Sequence, residues 1–142
     1  DIMKFVPKRW GYELWIENNR DYCGKHLRVV PDHWCSFHYH KNKKETFYVI
    51  GGELLLIHAK YSEDLAKAVK ESNNPRWDWQ KSFPEKSDLY YRFKTITLSK
   101  GDCLTIEPYV LHSFTTATSE PCDFVEISTF HEDSDSHRVY EG

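Results

Sequence analysis

Residues 34–52 read WCSFHYHKNKKETFYVIGG, and this stretch decides the fold. His38 and His40 stand two apart in a run with period-two alternation, so in a strand both imidazoles leave the same face. Lys41-Asn42-Lys43 is turn chemistry, and Glu45 then opens a second alternating run that closes on Gly51-Gly52. A strand folding back here presents the Glu45 carboxylate beside the two imidazoles. Far along the chain, Pro108-Tyr109-Val110-Leu111-His112 brings a third imidazole. Three neutral imidazoles and one carboxylate leave a divalent ion with one net positive charge and with open positions for water or substrate. Taken singly, each residue has a plainer reading: a strand histidine is usually solvated or hydrogen-bonded, and HKNKKE is usually a charged hairpin turn. Spacing, strand parity and the distant histidine agree, and together they single out His38, His40, Glu45 and His112 as metal ligands.

Outward from this stretch the period-two pattern continues. It predicts strands over residues 12–17, 24–30, 34–40, 46–50, 53–58, 90–98, 103–107, 113–116 and 124–129. Turn sequences such as Pro31-Asp32, Lys100-Gly101-Asp102 and Ser119-Glu120-Pro121 separate them. Many short strands with such turns give an all-β sandwich or barrel. Residues 62–71 (SEDLAKAVKE) break the pattern with a capping Ser62, early acidic residues and good helix formers, so a short helix is expected there. Residues 72–87 carry Trp77, Trp79, Phe83 and two prolines among polar residues and read as a loop. The expected organisation is one domain over residues 1–142, with 58–90 as a helix-and-loop insertion.

Composition narrows the function. The chain has 142 residues, enough for a core without disulfides, and its 39% apolar and 29% charged residues suit a globular protein. Aromatics at 15% and eight histidines are both in excess and point weakly to a small-molecule or metal site. A net charge of −3 with both signs interspersed gives no footprint for nucleic acid or an anionic membrane. Cys23, Cys35, Cys103 and Cys122 form no CxxC pair, and no signal peptide or membrane-spanning run is seen, so reduced thiols and a cytoplasmic location are expected. The chain opens on Asp1, which suits either a trimmed chain or one domain of a longer protein.

His38-x-His40-(x4)-Glu45-(x6)-Gly52 resembles the first cupin motif, and Gly101, Pro108 and His112 resemble the second. Asp32 departs from the glycine that usually opens the first motif, and the step from Pro108 to His112 is one residue short, with no glycine inside it. The resemblance implies a jelly-roll barrel, the double-stranded β-helix. Within cupins the chain is similar to sugar isomerases. Lys8-Arg9-Trp10-Gly11-Tyr12-Glu13 and Tyr22-Cys23-Gly24-Lys25 resemble the lead-in of mannose-6-phosphate isomerase-type cupins. The segment from His38 to Phe47, together with Ile106-Glu107-Pro108, His112-Ser113-Phe114 and Glu126-Ile127-Ser128-Thr129, resembles D-lyxose ketol-isomerases.

This likeness implies an aldose–ketose isomerase of the D-lyxose/D-xylulose or D-mannose/D-fructose kind. It implies one divalent ion (Mn, Zn, Fe, Co or Ni), a small sugar as substrate and a homodimer. Glu126 shares the parity of Phe124 and Ser128; facing inward it is a desolvated carboxyl fit for a catalytic base, facing outward only a surface charge. On residues alone Lys43 reads as a solvated turn lysine; the likeness makes it a catalytic group at a sugar oxygen. The tail from His131 to Arg138 reads on its own as a frayed acidic terminus. As a closing segment it would offer His131, Asp135 and Arg138 to the substrate. Trp15, Trp34, Tyr48 and Tyr109 are candidates to stack on a sugar, Tyr109 first because it neighbours His112. Two other functions share the same ligands: a non-haem iron oxygenase, and a non-catalytic sugar-binding cupin domain of a polysaccharide-synthesis protein.

Overall fold

The structure is a computed structural model that describes residues 3–71 and 88–140. The loop expected over residues 72–87 lies outside the described residues. Alternation of inward apolar and outward polar residues builds two antiparallel sheets. One has six strands in the spatial order β1 (Lys4–Lys8), β2 (Gly11–Asn18), β3 (Cys23–Val29), β10 (Cys122–Ser128), β5 (Glu45–Gly51) and β8 (Cys103–Ile106). The other runs β11 (His137–Tyr140), β4 (Phe37–Tyr39), β9 (Val110–Thr116), β6 (Glu53–Lys60) and β7 (Lys94–Ser99). Chain-adjacent strands such as β4 and β5 fall in different sheets, the jelly-roll way of closing a barrel.

Between the sheets, Leu27, Val29, Phe47, Val49, Leu54, Leu56, Phe114 and Phe124 form a dry core at one end of the barrel. Each such side chain contributes about 1.5–3 kcal/mol on burial. On the same inward parity, further along β3, β5 and β10, stand Lys25, Glu45 and Glu126, all buried. One strand face is therefore apolar at one end and charged at the other.

The outer face of the five-stranded sheet is covered as well. Helix α1 (Glu63–Glu71) lays Leu65 and Val69 over Phe37, Ile57, Ala59 and Leu111. Together with the segment 33–35, whose carbonyls accept from the Ser113 and Thr115 hydroxyls, this accounts for the unbroken burial of β9 from Leu111 to Thr116, which alternation alone does not give. Ser62 caps α1, its Oγ accepting the Leu65 N–H at 3.3 Å. Gly52 turns the β5–β6 hairpin at a φ of 75°, where a Cβ would lie 2.5 Å from the Pro121 carbonyl oxygen. That is the structural demand behind the glycine closing the first motif.

Several expected elements shift. The strand over 34–40 is reduced to Phe37–Tyr39, and that over 113–116 begins earlier, at Val110. The start of the strand over 90–98 is helical instead: α2 (Asp88–Arg92) is held by Arg92, which bonds Asp88, Ser62 and, at 3.1 Å, Asp64. β1 and β11 lie where no strand was expected. Among the described residues no helix is long and apolar enough to cross a membrane, and all four cysteines are unpaired.

Candidate active site

Strands β4 and β5, joined by a turn that crosses from one sheet to the other, and strand β9 bring the four motif residues together. His38 pairs directly with His112 across β4 and β9, and the Nδ1 or Nε2 atoms offered by His38, His40 and His112 all lie within 4.8 Å of one another. Each ring is set by a bond from Nδ1–H to a backbone carbonyl: His38 to Ser36 at 2.9 Å, His40 to Asp135 at 3.0 Å and His112 to Val110 at 2.9 Å. A proton on Nδ1 leaves the Nε2 lone pair of every ring for a ligand, the arrangement that orients metal-binding histidines. Glu45 joins them, with Oε1 3.0 Å from His112 Nε2 and 3.8 Å from His40 Nε2.

Glu45 Oε1 and His112 Nε2 are fully buried and have no hydrogen-bond partner. With Nδ1 protonated they face each other lone pair to lone pair, and an unsatisfied buried acceptor costs about 1–3 kcal/mol. A cation between them satisfies both, so the donor set fits a divalent ion. Burial and the neighbouring rings His112 and His40 push His38 well below the ordinary histidine range. Burial likewise takes His40 down to about 4, against the pull of Glu45. Burial opposes the charge on Glu45, but the Lys43 ammonium, its Nζ 3.3 Å from Oε2, acts to hold it well below the carboxylate range. Neutral imidazoles and an ionised carboxylate are the protonation states that metal binding requires.

Beside the cluster lies a second one. Lys43 is buried, with Nζ 2.6 Å from Glu126 Oε2 and 3.3 Å from Glu45 Oε2. It also donates to His131 Nδ1 at 3.0 Å. Burial works against the Lys43 charge, yet Glu126 and Glu45 raise its pKa above the free value. Burial raises Glu126, with Lys43 opposing and Glu45 reinforcing. Ser128 Oγ donates to Glu126 Oε2 at 3.1 Å. Glu126 thus takes the inward face, and Lys43 is a buried group instead of the solvated turn lysine its neighbours suggest.

These residues line one cavity of about 930 Å³, with His131 and Arg138 also in its wall. The tail is not frayed. Asp133–Asp135 forms a 3-10 turn, and β11 pairs with β4. Asp135 is buried away from the cavity, where its carboxylate accepts the backbone N–H groups of Lys41, Asn42 and Lys43. It braces the turn between β4 and β5 and lies outside the cavity wall. Tyr109 also leaves the set, because its ring packs toward Tyr39 and Tyr61 outside the cavity. Its backbone is what matters: at a φ of 63° it donates its N–H to the His40 carbonyl at 2.7 Å. Of the other aromatic candidates, Trp34 lines the cavity and Tyr48 is exposed.

Other lining groups were not singled out from the sequence. Lys25 Nζ is 3.3 Å from Glu13 Oε1 and 4.2 Å from the centre of the Trp15 ring. Burial opposes the Glu13 charge, but Lys25 and Lys8 bring its pKa below the ordinary value. The parity of Lys25 with Leu27 and Val29 carries the signal that would have placed it inside.

The sequence profile of D-lyxose isomerases matches residues 9–141. The chain belongs to the D-lyxose isomerase family. No curated protein matches it. Among solved structures, this family member is similar to the capsular polysaccharide assembling protein CapF from Staphylococcus aureus, with a TM-score of 0.70 and 12% identity over 99% of this chain and 32% of that one. It is also similar to the L-ribose isomerase of Cellulomonas parahominis, with a TM-score of 0.66 and 20% identity over 92% of this chain and 69% of that one. The oxalate decarboxylase of Lactobacillus farciminis gives a TM-score of 0.64 and 14% identity over 96% and 33%. At such identities the likeness shows the fold, and that fold is the cupin barrel. The chain spans about a third of the length of the CapF chains.

Proposed function

We propose that the chain is a metal-dependent aldose–ketose isomerase, a homodimer of one-domain cupins over residues 1–142, acting on a small sugar of the lyxose or mannose type. The observation that carries this reading is the buried Lys43–Glu126 pair beside the four ligands. Neither an iron oxygenase nor a passive sugar-binding cupin needs a desolvated carboxylate and ammonium at that place. The family match and the L-ribose isomerase likeness support the same reading.

His38, His40, Glu45 and His112 would hold the ion, one of Mn, Zn, Fe, Co or Ni. Bound there, it supplies positive charge to the sugar oxygens on which negative charge develops. Glu126 takes the proton from C2 of the aldose, the C–H electrons form the double bond to C1, and Glu126 returns the proton at C1. The remaining proton moves from O2 to O1, with Lys43 as the donor and acceptor beside it. Burial that raises Glu126 makes it a stronger base, and Lys43 keeps it ionised enough to act. Ser128 holds the carboxylate in place.

The test is incubation of the metal-loaded protein with lyxose, mannose and ribose in heavy water. Deuterium at C1 or C2 with ketose formation is expected for at least one sugar, and its absence from all of them refutes isomerisation. Metal analysis of His38→Ala and His112→Ala checks the ligands: each variant should lose the stoichiometric ion.

A further inference from the structure

The two sheets differ in what covers their outer faces. Helix α1 seals the five-stranded sheet, and α2 is tied to that helix through Arg92 and Asp64. On the six-stranded sheet outward side chains stay bare: Phe5 is 57% exposed, Tyr48 43% and Ile127 60%. Three of its strands, β3, β5 and β10, carry Lys25, Glu45 and Glu126 on the opposite, inner face.

Strand register shows how continuous the bare face is. One row, formed by Phe5, Leu14, His26, Val125, Tyr48 and Cys103, crosses all six strands. A second row sets Ile127 between Gly24 and Thr46, and a third sets Arg28 between Tyr12 and Asp123. Rings tile part of the surface, with Phe5 5.3 Å from Tyr12 and Tyr12 5.8 Å from His26, centre to centre. In a chain with 29% charged residues this face carries few ionised groups, and most are matched within it. Asp123 Oδ1 meets His26 at 2.9 Å and Arg28 at 3.9 Å, while Glu17 stands past the bulge at the end of β2. Strands about 4.8 Å apart, with outward residues about 6.8 Å apart along each, give three such rows a flat footprint of about 600 Å². That is at the upper end of what a monomer leaves bare, about 300–600 Å². Side-chain relief adds to it, toward the about 800 Å² that each partner gives to a stable interface.

We propose that this face is the interface of a homodimer, packed against the same face of a second copy. The inference rests on the homodimer of the preceding reading and names the surface that makes it. A partner here must be as apolar and as free of unmatched charge as the face it covers, and a second copy offers that surface without any further one. A two-fold axis makes the contact self-complementary, so the matched Arg28–Asp123 pairs enter it with their charges already satisfied. Twisted antiparallel sheets pack in this way about 10 Å apart and at about −30°. The dimer then clamps the backs of the strands that position Glu45, Glu126 and Lys25.

Sedimentation equilibrium of the wild type, Tyr48→Lys and Ile127→Lys tests the face. The wild type should be a dimer at micromolar concentration. Each variant brings two like charges into a desolvated contact and should weaken dimerisation by about 100-fold or more. Cys103 gives a readout that needs no variant, because it ends the central row and is exposed while Cys23, Cys35 and Cys122 are buried. Its labelling by iodoacetamide should slow by about 10-fold or more as the wild type is concentrated from monomer to dimer. A wild type that stays monomeric overturns the proposal. So does a dimer in which Cys103 remains as reactive as in the monomer, or one that both variants form undiminished. Should a variant not fold, the protection of Cys103 in the wild type decides the question. Heavy-water exchange separates the two readings. A monomer that exchanges deuterium into a sugar removes the interface alone, and a dimer through this face with no exchange into any sugar removes the isomerase alone.

Discussion

Burial opposes the charges of Glu126 and Lys43 and each offsets the other; replacing Lys43 isolates Glu126, whereas replacing Glu126 leaves Lys43 with Glu45. Glu126→Gln keeps the shape and leaves the four ligands untouched, so the variant should bind a full equivalent of metal. Its sugar turnover should fall by about 10³-fold, within the range for loss of a general base. Metal analysis and deuterium exchange on one sample check both halves. His131 offers a pH test. Burial, with Lys43 and Lys25 nearby, lowers it to about 4. Between pH 6.5 and about 4 the unfolded chain binds a proton at this residue that the folded chain does not, so stability falls as pH falls through that window. Urea unfolding at pH 7 and pH 5 should show a smaller loss in His131→Gln than in the wild type. An equal loss would mean that His131 is charged in the folded protein. The parity that Glu126 shares with Phe124 and Ser128 was legible, whereas which face is inward came from the structure. The burial of Lys43 was not, because the partner that draws it in lies on β10, far along the chain.

At the scale of elements, the tail and the turn between β4 and β5 act as one unit. Asp135 accepts three consecutive backbone N–H groups from residues 41–43 and gives its own carbonyl to His40. Asp135→Ala leaves the buried Lys43 N–H without its partner, at a cost of about 1–3 kcal/mol. It also frees the turn between His40 and Glu45, and loss of such outer support should weaken metal binding by about 10–100-fold. Thermal melts with and without metal, beside a competition titration with a chelator, measure the two effects separately. Unchanged metal affinity would make Asp135 a folding residue only. This unit was illegible in the sequence, since HEDSDSHR has no alternation and its order comes from one carboxylate meeting a distant turn. Helix α1 was legible because its signals are local, Ser62 at the cap and acidic residues in the first turn. Helix α2 was missed because Arg92 holds it through Asp64, a residue of another element.

For the whole molecule, the dry core at one end of the barrel carries the fold, while the charged end holds groups that disfavour it when unmatched. Glu45 Oε1 and His112 Nε2 are the clearest case, buried and without hydrogen-bond partners. An ion that binds only the folded chain relieves them and adds binding energy to stability, about 4 kcal/mol at a thousandfold excess over its dissociation constant. For a chain of this size each kcal/mol moves the melting temperature by about 2–4 °C. Saturating manganese or zinc should therefore raise the Tm by about 10 °C over the chelator-treated protein. His112→Ala removes a ligand and should abolish that rise, whereas Glu126→Gln should keep it. The rise on metal loading is then expected in the wild type and in Glu126→Gln, and absent from His112→Ala. A Tm indifferent to metal and chelator would mean that the four residues do not hold an ion, and the isomerase reading would fall with them.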